Sequence, residues 1–433
     1  MRVLSALATL SVALTSTGSL AQDVDYERTA RDILSRMPII DGHNDVPWTY
    51  RARVQNRLGQ IDFSLSTAHF ERPMHTDIPR LREGMVGGQF WSVYIPAHEM
   101  GSEPGDTRDL LEQIDVVHRL VSLYPDDLQL ALTADDVENA IMDGKIASLI
   151  GIEGGHAIEK SLAVLRMSYA LGARYMTLTH SLNIEWADSA TDDRVLGGLS
   201  PFGEEVVREM NRMGMLVDLS HVSAETMHDT LDIAEAPVIF SHSSAYALSN
   251  SPRNVPDDVL VRVRDNGGVV MVTFVPTYLN EKLRQWSVAR RDAYRAIAEE
   301  HGDDEDAVNA AREAWMANNP RRNAAIADAA DHIEHIIKVA GIDHVGIGGD
   351  YDGVSSLPDG LEDVSTYPAL FAELLRRGLT GSDLEKISGR NILRVMRETE
   401  RVAARLQNER PASDALYTEL DAELIADTNS ESD

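Results

Sequence analysis

The sequence predicts an α/β fold: a TIM-like (β/α)8 barrel with a helical insertion after its seventh strand. Three observations lead there. Eight short apolar runs rich in β-branched residues recur along the chain, amphipathic helical stretches separate most of them, and six of the eight end in a histidine or a carboxylate. Strands that are apolar on both faces and alternate with helices belong to parallel sheets buried on both sides. Eight such units close a barrel, and 433 residues suit one barrel with additions.

Taken in order, residues 1–21 read as an export signal. Arg2 precedes an apolar run from Val3 to about Leu14, and Ser19-Leu20-Ala21 supplies a small-x-small cleavage pattern. The expectation is a periplasmic or secreted protein beginning near Gln22, with no later membrane span. The strands are then "MPIIDGH" (37–43), "QFWSVYIP" (89–96), "ASLIGIEGG" (147–155) and "RYMTLTH" (174–180). They continue with "MLVDLSH" (215–221), "PVIFSHS" (237–243), "GGVVMVTF" (267–274) and "HVGIGGDYDG" (344–353). Helical patterns between them include "TRDLLEQIDVVHRLVSLY" and "GEEVVREMNRMG". Residues 280–325 are charged and helical in propensity, and form the insertion. The barrel domain is expected over 22–400, and residues 401–433 as a helix followed by a disordered end.

Bulk properties narrow the function. A formal charge of −30 repels polyanions, which excludes nucleic acid as a natural partner, and equally an anionic membrane surface. The chain has no cysteine, so disulfides, thiolate ligands and thiol nucleophiles are all excluded. Any metal here is held by nitrogen and oxygen.

The chemistry gathers at strand ends. The first strand delivers His43 and Asp45, which sit two apart and so face one side of an extended chain. Glu153 ends the third, His180 the fourth, His221 the fifth, His242 the sixth and Asp350 the eighth. In a barrel these C-terminal ends ring a single mouth. Singly, a strand-end histidine is an ordinary packing residue and a carboxylate there an ordinary helix cap. Jointly, several imidazoles and acids in one mouth are costly without a cation. Such a set suits Zn²⁺ or a similar ion. It has more ligands than one ion needs, and two ions sharing a carboxylate use them all.

The ordered motifs "DGHND" (41–45), "GIEGGH" (151–156), "YMTLTH" (175–180), "VDLSH" (217–221), "SHSS" (241–244), "SPRNV" (251–255) and "GIGGDYDG" (346–353) span nearly the whole chain after residue 22. In that order the chain resembles the membrane (renal) dipeptidases, M19-type zinc peptidases with a barrel of the metal-dependent amidohydrolase type. The resemblance implies a binuclear zinc dipeptidase, with two Zn²⁺ per chain and a metal-bridging hydroxide that attacks the peptide bond of a dipeptide. It implies that His43 and Asp45 bind one ion, Glu153 bridges, and His221 and His242 complete the second. It further implies that His180 steadies the substrate carbonyl, Asp350 moves the proton, and Arg253 grips the substrate carboxylate with help from Tyr278. A homodimer is the implied assembly. His156 is expected behind the ligands, His332 and His335 at a helix surface or core edge, and Asp41 and Asp352 as structural partners. Mammalian members carry a C-terminal lipid anchor and disulfides, and their segment matching 280–325 is shorter. A related amidohydrolase acting on β-lactams, lactones or N-acyl amino acids is the alternative, and a non-catalytic periplasmic binder a second one.

Overall fold

The computed structural model describes residues 25–97 and 106–430, so the expected export signal lies outside the described residues. Nine parallel strands occur among them: β1 (Ile39–Asn44), β2 (Val86–Tyr94), β3 (Leu128–Leu130), β4 (Ile146–Glu153) and β5 (Ala173–Thr177), then β6 (Leu216–Asp218), β7 (Ile239–Phe240), β8 (Val269–Val272) and β9 (Val345–Ile347). Eight of them run β2-β1-β9-β8-β7-β6-β5-β4, and β2 pairs β4 from Gly88–Ala147 to Tyr94–Glu153, which closes the barrel. β3 is the strand absent from the sequence reading. It covers only Ile146–Ser148 at the start of β4, and β5 takes over the same edge from Ile150 onward. Three residues with no alternation of their own leave no periodic signal.

Successive side chains in each strand face opposite sides, and the core divides accordingly. Ile40, Phe90, Leu149, Tyr175, Leu216, Ile239 and Met271 fill the barrel together with Ile392, Leu393, Val395 and Met396 from the helix Asn391–Glu409. Their strand neighbours Ile39, Ile150, Ile152, Val270 and Val272 pack outward beneath the surrounding helices. The interior is thus solid, and the open end is the one where the strands terminate.

Between β8 and β9 the insertion forms two helices, Glu281–His301 and Glu305–Asn318, which bury only Leu283 and Val308. They meet through aromatic rings: Trp286 lies 5.9 Å from Trp315, and Tyr294 lies 6.1 Å from Trp315. Arg290 and Arg312 stand over the Tyr294 ring at 5.9 and 5.0 Å.

Residues 401–433 were expected as a helix followed by a disordered end, and their described part, up to residue 430, is helical over much of its length. The helix Asn391–Glu409 runs straight through position 400, and the chain then returns across the helix Pro201–Met213. Buried Asp421 accepts from the Phe202 N–H at 2.9 Å and from the Ser200 hydroxyl, capping that helix from 219 residues away. Polar composition concealed it because a buried carboxylate, Asp421, docks the tail beside one ring contact, of Tyr417 with Phe202 at 5.6 Å. Among the described residues, no helix is long and apolar enough to cross a membrane.

Candidate metal centre

The end of β4 places Glu153 in the middle of the mouth. Its Oε2 accepts from the Ser92 hydroxyl of β2 at 3.0 Å, which leaves Oε1 facing inward. Four imidazoles surround that one oxygen through Nε2: His221 at 3.1 Å, His43 at 3.4 Å, His242 at 3.5 Å and His180 at 3.9 Å. Asp45 Oδ2 lies 3.2 Å from His43 Nε2, and Asp350 groups with His43 and Asp45 on the far side. Arg253 and Tyr278 line the same cavity, a space of about 340 Å³. All the residues expected from the strand-end pattern therefore converge.

Backbone geometry serves this convergence. His221 (φ 72°) and Asp350 (φ 62°) both adopt the left-handed conformation, uncommon for residues other than glycine. Conformational cost of that kind collects where a site dictates side-chain direction. Gly353 has a related use, since a Cβ there would fall 2.3 Å from Asp45 Oδ2 and 2.4 Å from Asp350 Oδ1.

Hydrogen bonds on the outer ring nitrogens aim the inner ones. His43 Nδ1 lies 2.9 Å from the Tyr175 hydroxyl. His242 Nδ1 lies 2.8 Å from Ser241 Oγ, which in turn donates to Asp218. Outer partners of this kind hold metal-binding histidines in tautomer and orientation.

The charges show what the site requires. Burial alone would raise Glu153, yet His43, His221 and His180 hold it well below the usual carboxylate range. Burial alone would lower His43, but Tyr175, Glu153 and Asp45 raise it well above 6.5. Burial keeps His221 and His242 neutral, helped by Arg253 and by neighbouring imidazoles. Burial also pushes the Asp350 carboxyl well up, and Asp45 and Glu153 add to this. A buried pocket that holds several carboxylates beside the neutral imidazoles of His221 and His242 suits a cation. His43 Nε2 has no hydrogen bond, and His221 and His242 point their Nε2 atoms at each other across 2.9 Å. Metal binding there would relieve both conflicts, and an oxygen–nitrogen set without sulfur fits zinc-like ions.

A family model described as membrane dipeptidase, peptidase family M19, matches residues 27–410. The chain belongs to that family. The probable dipeptidase PvdM of Pseudomonas aeruginosa is similar in fold (TM-score 0.72, 23% identity), the alignment covering 87% of this chain and 99% of that one. A Rhodobacter sphaeroides metallopeptidase liganded with a phosphinate mimic of the dipeptide L-Ala-D-Ala is also similar (TM-score 0.68, 23% identity, 84% and 99% covered). So is an amidohydrolase of P. aeruginosa (TM-score 0.64, 22% identity, 86% and 98% covered).

Within this M19 chain, several residues sit away from the centre or were not foreseen. His156 turns from it, its Nε2 lying 3.2 Å from the Ile95 carbonyl. Asp41 accepts from the His43 and Gly349 N–H groups and from Tyr367, tying β1 to β9. Asp352 and His75 bond reciprocally through backbone N–H and side chain. His332 is not at a helix edge: it is fully buried, with Nδ1 accepting from Ala245 N–H and Nε2 donating to Leu279 O. Trp48, Tyr94, Val275 and Val354 also line the cavity. Trp48 meets Tyr94 edge-on at 5.0 Å, and Tyr94 lies 4.8 Å from His180. Their only sequence signal was position, Trp48 just past "DGHND" and Tyr94 at the end of a strand. The 281–318 helices contribute nothing to the cavity wall, which takes only Val275 and Tyr278 from the segment before them.

Proposed function

We propose that this chain hydrolyses the peptide bond of dipeptides, using two zinc ions held by His43, Asp45, Glu153, His221 and His242, with Glu153 shared. One observation carries the reading: a carboxylate oxygen ringed by four imidazole nitrogens shares a cavity with a buried guanidinium that has no acid partner among the described residues. Two ions there would supply Lewis-acid activation of a water and of the scissile carbonyl.

The chain's own groups do the rest. Arg253 is buried, its contacts to Ser243 Oγ and His242 O are long at 3.4 Å, and its Nε makes no hydrogen bond among the described residues. A planar cation so loosely held is ready for a carboxylate. Tyr278 lies beside it and supplies a phenol to the same anion. His180 is the farthest imidazole from Glu153 and the most exposed, at 19%, which puts it at the substrate side of the centre, where it steadies the carbonyl oxygen. Asp350, grouped with His43 and Asp45 at the centre, would act as its carboxylate there, taking the proton from water and returning it to the leaving amine.

The cavity's size and the position of Arg253 limit substrate length, because a longer peptide would carry its carboxylate past the guanidinium. The Rhodobacter sphaeroides relative, liganded with a dipeptide mimic, agrees in substrate class. We place the protein outside the cytoplasm, on the strength of its first 21 residues.

The test is chelation, a metal count, and zinc add-back, assayed on a dipeptide library beside N-acyl amino acids, β-lactams and lactones. Two ions per chain and restored dipeptide cleavage are expected. A folded protein that binds no stoichiometric metal, or one that cleaves only the other classes, overturns the reading.

A further inference from the structure

Tyr175 is fully buried inside the barrel on β5 and does not line the cavity, so no substrate touches it. Its ring occupies a slot that the neighbouring strand leaves open. A Cβ on Gly151 of β4 would lie 2.0 Å from the ring carbon that bears the hydroxyl. No other residue at 151 admits the ring as it stands.

The slot delivers the hydroxyl to two atoms at once, His43 Nδ1 at 2.9 Å and the Gly42 carbonyl at 3.3 Å. A carbonyl oxygen only accepts, and a phenol has one proton to give. The phenol proton therefore goes to Gly42, and the phenol oxygen accepts from the Nδ1–H of His43. That assignment leaves His43 Nε2 with its lone pair directed at the mouth, where it makes no hydrogen bond. His43 is thus aimed by a neutral phenol, whereas His242 is aimed by Ser241 backed by the Asp218 carboxylate, and His221 Nδ1 makes no hydrogen bond among the described residues. His43 and His242 thus rest on two different outer supports.

We propose that Tyr175 is the positioning residue of His43, so that the two cation positions depend on separate supports and loss of the Tyr175 hydroxyl weakens one of them selectively. This rests on the two-ion reading above. The opposing support predicts the mirror effect, with Ser241→Ala weakening the other position.

The experiment compares wild type, Tyr175→Phe and Ser241→Ala by zinc content, chelator competition and the absorption spectrum of the cobalt-substituted protein. Phenylalanine fills the same slot without the hydroxyl. Tyr175→Phe is expected to keep one ion as tightly as wild type and to bind the other about 10–100-fold more weakly, with one part of the cobalt spectrum altered. Ser241→Ala should alter the other part. In zinc-loaded wild type labelled with ¹⁵N-histidine, every metal-bound imidazole should be bound through Nε2, a readout that does not depend on either variant folding. An imidazole ligated through Nδ1, or a Tyr175→Phe protein holding both ions with wild-type affinity, overturns the inference. A wild type without metal sinks the two-ion reading instead.

Discussion

The guanidinium carbon of Arg253 lies 5.6 Å from the ring centroid of Tyr278, and the two line the same cavity as the aromatic pair Trp48 and Tyr94. Among the described residues no carboxylate pairs with this guanidinium, which leaves its planar donors for a substrate carboxylate. Arg253→Ala is expected to raise KM and lower kcat/KM for free dipeptides by about 2–4 kcal/mol. Amidating the dipeptide C-terminus should cost wild type a comparable amount and the variant almost nothing. Equal discrimination by both proteins would remove the clamp from Arg253.

Asp350 sits at a left-handed corner beside Gly353, where its carboxyl is pushed well up by burial and by Asp45 and Glu153. If it moves a proton, Asp350→Asn should lower kcat by about 10²–10⁴-fold with KM and metal content nearly unchanged. Loss of an ion from the variant would instead make Asp350 a ligand, a possibility its grouping with His43 and Asp45 makes worth measuring.

The sequence made the barrel and the converging residues legible for a common reason. Parallel strands buried on both faces are continuous apolar runs, and a polar residue ending such a run marks the mouth. His43, Glu153, His221 and His242 each stood at such an end. What stayed hidden depends on contacts between distant segments. Tyr175 stood only as a letter of the motif "YMTLTH", and its bearing on His43 appears once Gly151 is seen beside its ring. His332 shared a helix with His335, and spacing alone did not separate the buried one from the one that pairs with Asp257 at 2.7 Å.

His332 leads to a pH prediction. Burial holds its pKa down at about 4, while in the unfolded chain it titrates near 6.5. Between those values the unfolded state binds more protons, so stability is fully present above about 6.5 and falls as pH drops toward 4. The loss is on the order of 3 kcal/mol. Other acids contribute to the same acid limb, so the informative quantity is a difference: unfolding midpoints of wild type and His332→Gln followed from pH 7 to 4. The wild type should lose its advantage over that range. Parallel curves would show that the folded state does not hold His332 below its unfolded titration.

Asp421 offers a test of the tail. The helix Pro201–Met213 begins with Ser200, whose hydroxyl accepts from Gly203 N–H at 3.2 Å, and Asp421 takes the Phe202 N–H and the Ser200 hydroxyl proton. First-turn N–H groups have no partner within their own helix, so a buried carboxylate here replaces lost water and also favours the positive end of the helix dipole. Asp421→Ala should destabilise the protein by about 1–2 kcal/mol, read as a lower denaturant midpoint at unchanged slope. Zinc content and kcat should stay at wild-type values, because Asp421 reaches no residue of the mouth. A fall in kcat at full metal content would mean that the cap also disciplines residues 181–199, the segment between His180 and Ser200, and that the tail acts on the reaction through it.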